Sequence, residues 1–151
     1  MTGLYAQNTS VSTDKSRFEI ERNLSKYGAT EFGYMNGADR SVIVFKIANR
    51  VVRITLPLPN KSDKQFQPKR LRYGLSKDER VTIAWEQACR SSWRALSLVI
   101  KAKLEAVATG ISTVEREFLS DVVLPGGKTI GEWVQPQLVN MKDAPKLLPM
   151  G

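Results

Sequence analysis

The sequence predicts an α+β domain in which a three-stranded antiparallel β-meander packs against one long helix, with an N-terminal helix and two short C-terminal helices (α-β-β-β-α-α-α). Residues 41–56 contain two runs whose side chains alternate as they do along β-strands. Residues 77–109 carry apolar side chains at helical spacing. The chain of 151 residues has the length of one domain, so we expect residues 1–151 to fold as a single domain.

The N-terminal region is predicted to hold a polar arm, residues 1–11, followed by a helix over residues 14–27. Ser12 or Thr13 can cap the first turn, and Gly28 is placed to end the helix. An apolar stripe makes this helix amphipathic and predicts that it packs against the rest of the domain. The stripe consists of Phe18, Ile20, Leu24 and Tyr27.

Three strands are predicted after this helix. Asn36-Gly37 is a strong signal for a tight hairpin turn between the first two strands. Residues 48–50 form the second turn, and Pro57 and Pro59 end the third strand. The three segments therefore form an antiparallel meander, and they cover residues 30–35, 41–47 and 51–56.

Capping boxes, in which Ser or Thr precedes Glu by three residues, predict the starts of the remaining helices. The long helix begins after Ser76 and runs to Thr109, before Gly110. At about 1.5 Å per residue it is on the order of 50 Å long, longer than the sheet, so part of it must project or meet a partner. Two short helices follow, ending near residues 119 and 138. The capping boxes are Ser76 with Glu79, Ser112 with Glu115, and Thr129 with Glu132.

The composition excludes most common catalytic and metal sites. The chain has no histidine, which removes Ser-His-Asp triads, imidazole general bases and His-containing zinc sites. One cysteine, Cys89, cannot form a four-cysteine zinc site or hold an iron–sulfur cluster. Residues 127–129 are not a Walker A loop, because Val122 stands where that motif requires glycine. We predict no catalytic residue, metal, cofactor or small-molecule substrate, and a solvated helix face for the acidic residues between 115 and 121.

The N-terminus gives no sign of a targeting segment. Residues 1–10 are polar and uncharged, unlike a signal peptide, and the longest apolar runs are far shorter than a bilayer span. A single cysteine cannot form an internal disulfide, which fits a reducing compartment. We therefore expect a cytoplasmic protein without membrane contact.

The net charge of +8 is unevenly placed along the chain. Residues 1–60 carry 8 basic and 5 acidic side chains (+3), residues 61–103 carry 11 and 4 (+7), and residues 104–151 carry 4 and 6 (−2). Such asymmetry is expected of a polyanion binder, because Lys and Arg that contact phosphates release counterions. The alternative is a basic surface that serves solubility alone.

The clearest candidate for phosphate contacts is the basic loop, residues 60–75. Its cations accompany a single acidic residue, Asp63, and two aromatic residues, Phe66 and Tyr73, are interleaved with them. Such a mixture is typical of surfaces that bind single strands, because cations contact phosphates and rings stack on bases. The cations are Lys61, Lys64, Lys69, Arg70 and Arg72.

Two further sets of residues are candidates for the same role. On the long helix, Arg90, Arg94 and Lys101 lie in one narrow sector, because spacings of four and seven return to one face. Pairing with Glu86 and Glu105, one turn away, would neutralise part of this stripe. On the sheet, cations beside aromatic rings would form a stacking platform, although core packing is the commoner fate of such rings. The sheet residues are Lys46 and Arg53, with Phe32 and Tyr34 on one face of the first strand.

Several runs in the second half of the chain form a distinctive pattern: Trp93-Arg94-Ala95-Leu96, Val99 to Val107, Gly110-Ile111, Glu117-Phe118-Leu119, Val123-Leu124-Pro125 and Gly131-Glu132-Trp133. In these runs the chain resembles a family of tailed-bacteriophage and prophage proteins of unknown function, and the likeness covers most of its length. The resemblance implies a setting, a phage-infected bacterial cell, and no particular activity. The α-β-β-β-α order is also similar to that of single-strand annealing proteins and of double-stranded RNA-binding domains, which is an analogy of element order alone.

The predicted function is sequence-tolerant binding of nucleic acid, with single-stranded DNA in phage recombination or replication as the favoured ligand. The alternative is a non-enzymatic protein-interaction module, either an inhibitor of a host factor or a self-assembling scaffold, with a homo-oligomer as an expected form. The long helix favours this alternative, as does the tail, residues 140–151, whose leucines can dock on a neighbour. Trp133 is expected to anchor the last helix.

Overall fold

The computed structural model describes residues 3–67 and 74–148, and side chains from residue 13 onwards. The element order is the predicted one, α-β-β-β-α-α-α, with a 3-10 turn before the long helix and another after the third helix. Among the described residues, no helix has the length and apolar character needed to cross a bilayer. The elements are α1 (Gly3–Lys26), β1 (Thr30–Asn36), β2 (Arg40–Ile47), β3 (Arg50–Pro57), α2 (Lys77–Ala108), α3 (Val114–Glu117) and α4 (Ile130–Val139), with 3-10 turns Lys64–Phe66 and Leu119–Asp121.

Helix α1 begins at Gly3, so the predicted helix start at residue 14 and the predicted cap at Ser12 or Thr13 are wrong, and residues 3–11 of the predicted arm are helical. No glycine or proline interrupts residues 4–27, and the helix therefore continues through its polar first half. Gly28 ends it as predicted, with a φ of +89° that an L side chain rarely adopts. Ile20 and Leu24 are fully buried. Phe18 is not part of the packed stripe, because 67% of its surface is exposed.

The sheet is an antiparallel meander in the order β1-β2-β3. Strands β2 and β3 pair without interruption from Arg40–Pro57 to Ile47–Arg50. Their two-residue turn, Ala48-Asn49, has both φ angles positive, which matches the right-handed twist of the strands it joins. The first turn lies one residue later than predicted: Asn36 is still in β1, and the Gly37 amide donates to the Arg40 carbonyl at 2.7 Å.

The core lies between one face of the sheet and the two long helices. At its centre is Phe45 on the middle strand, a fully buried residue. Its ring meets Phe118 edge-on with the centroids 5.8 Å apart, and the Phe32 ring lies 6.3 Å away on the other side. Ile43 and Ile47 flank Phe45 on the same face and are equally buried, as the alternation predicts. The three rings therefore join the strands to the segment that follows α2.

Helices α1 and α2 pack against each other and run in the same direction. Near the start of α2, the Trp85 indole N–H donates to the Pro59 carbonyl at 2.6 Å, which places this end of α2 where β3 ends. Near the end of α2, the Lys103 ammonium donates to a backbone carbonyl beside Phe118, whose ring contacts Phe45. The sheet end near Phe45 is also the end at which α1 stops and β1 starts. Both helices therefore run from the β3 terminus towards the β1 start.

The ends of α2 match the prediction. The Ser76 hydroxyl accepts from the Glu79 amide and the Glu79 carboxylate accepts from the Ser76 amide, both at 3.1 Å. Thr109 is the C-cap, and Gly110 follows with a φ of +80°. The buried face is not purely apolar, since it includes Glu86 and Ser97. That face consists of Glu86, Cys89, Trp93, Ser97, Ile100 and Leu104.

The C-terminal segment returns to the sheet before it ends in α4. The N-cap of α3 is Thr113, whose hydroxyl accepts from the Arg116 amide, and not the predicted Ser112. Ser112 instead donates its hydroxyl to the Glu117 carboxylate, which removes it from the capping role. The predicted capping box of Thr129 with Glu132 is present.

Helix α4 is weakly packed. Every one of its ten residues, all of which the structure describes, is at least partly exposed. Trp133 is 59% exposed, so the prediction that it anchors this helix is wrong. The helix is held at its start, where the Val122 carbonyl accepts from the Ile130 amide at 2.9 Å. Its outer surface is therefore available for other contacts.

The outer edge of the α1–sheet contact is polar. The Tyr34 hydroxyl donates to the Glu21 carboxylate at 3.0 Å, and the Arg17 guanidinium lies 4.4 Å from the centroid of the Tyr34 ring. Burial, followed by the nearby Glu21 carboxylate, raises the pKa of Tyr34 to about 12. Tyr34 therefore ties β1 to α1 in its neutral form.

Phe45→Ala should lower the free energy of unfolding by about 3–5 kcal/mol, because it removes a buried ring that contacts two others. Phe18→Ala is the matched control: the same atoms leave an exposed position, so the loss should be below about 0.5 kcal/mol. Urea titrations followed by circular dichroism measure both changes. Equal losses for the two variants would contradict the placement of these side chains.

The contribution of Tyr34 to stability should fall as the pH rises from 10 to 12. Its pKa is about 12 in the folded chain and about 10 in the unfolded chain, so only the unfolded state ionises over most of this interval. Below pH 10 the contribution is constant. Urea titrations of the protein and of Tyr34→Phe measure the difference in unfolding free energy, which should narrow only above pH 10. A difference that stays constant to pH 12 would refute the raised pKa, and with it the burial of the Tyr34 hydroxyl beside Glu21.

Candidate nucleic-acid interface

The first part of the basic loop, residues 60–67, packs on α2. The Trp85 N–H bond to Pro59 fixes its entry, and the Lys61 ammonium lies 5.1 Å above the centroid of the Trp85 ring. The Asn60 side chain accepts from the backbone and the hydroxyl of Ser62, both at 2.9 Å. Lys61 is thus held beside the helix by cation–π attraction.

Phe66 cannot stack on bases in this arrangement, contrary to the prediction. It ends the 3-10 turn and is only 7% exposed, because its ring is packed at the contact between this turn and α2. Lys64, in the same turn, is exposed. Lys69, Arg70, Arg72 and Tyr73 lie outside the described residues.

The cations of α2 differ in their surroundings. Arg94 and Lys101 are exposed, and neither forms an ion pair within the part of the chain that the structure describes. The alternative in which Glu105 neutralises Lys101 is therefore not the observed arrangement. Arg90 is half-buried and engaged in other interactions, and Glu86 is buried. Two of the three predicted cations of this stripe are therefore open to a ligand.

The loop and the α2 stripe lie on opposite sides of α2. Trp85 contacts the entry of the loop, and Lys103 contacts the end of α3. These two residues are 18 positions apart, which is five helical turns, so they lie on the same side of α2. Arg94 is nine positions, or two and a half turns, from each. It therefore points away from the loop, towards the flank that α1 occupies. The predicted phosphate contacts form two surfaces and not one.

The sheet does not form the predicted stacking platform. Phe32 and Tyr34 face the helices. Lys46 lies 3.6 Å from the Glu31 carboxylate, and Arg53 lies 3.1 Å from the carboxylate of Glu132. The hydrogen bond from Arg53 lowers the pKa of Glu132, so this carboxylate stays charged beside its partner. Lys46 and Arg53 are therefore each paired with a carboxylate, on a face without these rings.

The outer face of α1 holds basic residues that the sequence prediction missed. Lys15, Arg22 and Lys26 are exposed there, with Phe18 among them. The amphipathic reading of this helix assigned Phe18 to the same stripe as Ile20. Two positions along a helix correspond to about 200°, so the two side chains point in nearly opposite directions. That angle was the signal in the sequence that could have revealed this face.

The acidic residues after α2 do not assemble a metal site. Glu117 accepts the Ser112 hydroxyl, and burial raises the pKa of Asp121, an effect that the nearby Lys103 ammonium opposes. In residues 3–67 and 74–148, no group of three or more Cys, Asp or Glu side chains could hold a metal ion.

An apolar groove opens beside β3, between its first residues and the start of α4. Its volume is about 750 Å³, and Arg50 and Glu115 are the charged residues of its lining. Apolar side chains line most of it, including Val51, Leu119, Val123 and Ile130. The groove lacks the cluster of convergent polar groups that small-molecule sites use to orient a ligand.

The described residues therefore offer exposed cations in the first part of the basic loop, on α2 and on the outer face of α1. No protein-family model, no curated protein and no solved structure matches this chain.

Proposed function

We propose that this protein binds nucleic acid without sequence specificity, through phosphate contacts made by cations on α2 and in the basic loop. The observation that carries the proposal is the contrast between two sets of cations. Lys61, Lys64, Arg94 and Lys101 form no ion pair with any carboxylate in the described ranges, whereas Lys46 and Arg53 do. Unpaired cations are the ones that can neutralise phosphates and release counterions.

The position of these cations supports the same conclusion. All four lie in the segment that carries +7 of the net charge of +8. Lys61 and Lys64 begin a stretch in which Lys69, Arg70 and Arg72 follow with no further acid, so the sequence predicts that the loop surface extends beyond its described part. Binding through such surfaces is sequence-tolerant, because phosphates carry no base identity.

Single-stranded DNA in phage recombination or replication is the ligand and setting that we propose. The setting comes from the resemblance to phage and prophage proteins, and the strand form from the mixture of cations and aromatic residues along the chain. Tyr73 remains a predicted stacking residue. Phe66 does not, because it is buried.

A second candidate function is protein interaction, and the exposed apolar residues of the C-terminal third favour it. Leu138 and Val139 are exposed at the end of α4, beyond the exposed Trp133, and Leu147 and Leu148 are exposed in the tail. This third of the chain has a net charge of −2, opposite in sign to the middle third. A second copy of the chain is therefore a partner of suitable charge.

Arg94→Gln with Lys101→Gln should weaken binding to a labelled oligo-dT and reduce its salt dependence. For two lost phosphate contacts to a single strand, the slope of log Kd against log salt concentration should fall by about 1.4. Fluorescence anisotropy across a salt series measures it. Lys142→Gln with Lys146→Gln, two exposed tail residues, is the control of equal charge and should leave the slope unchanged.

The loop surface is tested separately by changing Lys69, Arg70 and Arg72 to glutamate. Weaker, still salt-dependent binding would support both surfaces. Binding that resists salt, or no binding to single- or double-stranded DNA at low salt, would refute the nucleic-acid proposal.

Trp133→Ser should weaken self-association at least tenfold if the exposed face of α4 is a protein contact, because aromatic residues dominate such interfaces. The folded monomer should lose less than about 0.5 kcal/mol, since this residue is exposed. Sedimentation velocity over a concentration series measures the association. A monomer at all concentrations, with or without the change, would contradict self-association through α4.

A further inference from the structure

Phe18 is the aromatic residue among the described side chains of α1, and most of its surface is exposed. It is 67% exposed and points away from the core, while Ile20 and Leu24 of the same helix are fully buried. A single exposed apolar side chain needs no explanation by itself. The surroundings of Phe18 distinguish it from such a case, because this residue lines two surface hollows. These hollows have volumes of about 180 and 560 Å³.

Two cations flank the ring along the helix. Lys15 lies three positions before Phe18 and Arg22 four positions after it, so both side chains share its face, one turn to either side. Both are exposed, and neither forms an ion pair within the ranges that the structure describes. About 10 Å of helix separates the two cations. The arrangement places positive charge at each end of an accessible aromatic surface.

The acidic residues nearby are mostly engaged elsewhere. Asp14 pairs with Arg17 at 3.3 Å, and Glu21 accepts the Tyr34 hydroxyl at 3.0 Å. The larger hollow is also lined by Glu19, and this carboxylate forms no ion pair among the described residues. The charged side chains around the ring are therefore three cations and three carboxylates, and Lys15 and Arg22 are the two cations that form no ion pair among the described residues.

Helix α2, the neighbour of α1, also carries exposed cations. Because the loop and the end of α3 occupy one flank of α2, α1 takes the other flank, towards which Arg94 points. Lys15 and Arg22 of α1 and Arg94 and Lys101 of α2 are all exposed, on two helices that pack against each other.

We infer that Phe18 is a base-stacking residue for single-stranded nucleic acid, with Lys15 and Arg22 contacting the phosphates on either side of the stacked base. The inference rests on the proposed nucleic-acid binding. It adds the residue that makes the protein prefer single strands to duplexes. Bases of a duplex are already stacked on one another, so an exposed ring gains little from them, whereas an unpaired base can lie flat on the ring. Phe18 therefore favours single strands, and the cations bind either form.

The test is the affinity of Phe18→Ala for labelled oligo-dT and for a duplex of the same length. Loss of one stacked base costs about 1–3 kcal/mol, which corresponds to roughly a 5- to 150-fold weaker Kd for oligo-dT. Affinity for the duplex should change less than about twofold, and the salt slope should stay the same because no charge is removed. Phe18→Trp keeps a stacking ring and should retain the affinity, with its added indole fluorescence quenched by oligo-dT. Urea titration of each variant establishes that it is folded.

The outcomes separate this inference from the function on which it rests. Equal oligo-dT affinity of the protein and Phe18→Ala would overturn the stacking role and leave nucleic-acid binding intact. Equal losses for oligo-dT and duplex by a folded Phe18→Ala would also overturn it, because strand discrimination would then lie elsewhere. If the unchanged protein binds neither form, both proposals fail. If Phe18→Ala abolishes self-association without DNA and leaves the oligo-dT affinity unchanged, Phe18 is a protein contact and the inference is wrong.

Discussion

The packing around Phe45 is the interaction on which the rest of the structure depends. Its ring lies on the middle strand and contacts Phe32 within the sheet and Phe118 beyond α2. Phe118 is itself fully buried, and the Lys103 ammonium lies 5.7 Å from the centroid of its ring. Because aromatic rings bury a large area at defined angles, this cluster sets where the chain returns to the sheet after α2. It thereby also sets the position of α2 along the sheet.

The placement of α2 explains how the charged residues are distributed. One flank of this helix is covered by the first part of the basic loop and by the end of α3, and the other flank by α1. Cations that are near one another in the sequence, such as Lys101 and Lys103, consequently serve different purposes. Lys103 donates a hydrogen bond of 2.6 Å to the Glu117 carbonyl at the end of α3, whereas Lys101 remains exposed. A count of charges along the chain cannot make this distinction.

In the sheet, too, the cations and the aromatic rings are engaged in contacts within the protein. Its cations are paired with carboxylates, and its aromatic rings face the helices, so its open face presents mainly aliphatic side chains such as Val44, Val51 and Met35. The positive surfaces of the molecule belong to the helix layer and to the loop that precedes α2. This distribution motivates a nucleic-acid interface on helices, with Phe18 as its aromatic element. The apolar, weakly acidic C-terminal third is the surface that we propose for a protein partner.

The sequence alone determined the order of elements, the meander, and both ends of α2, because alternation, capping boxes and glycine stops are local signals. Ser76 with Glu79, and Gly28 and Gly110 at helix ends, act within a few residues of where they stand. The early start of α1 was missed because the cap was assigned to Ser12 or Thr13, although no glycine or proline interrupts residues 4–27. Only the tertiary structure decided that Phe66 is buried, that Phe18 is exposed, and that Lys46 and Arg53 are paired with carboxylates. Each of these outcomes depends on a partner distant in the chain, and such partners become neighbours only when the helices pack on the sheet.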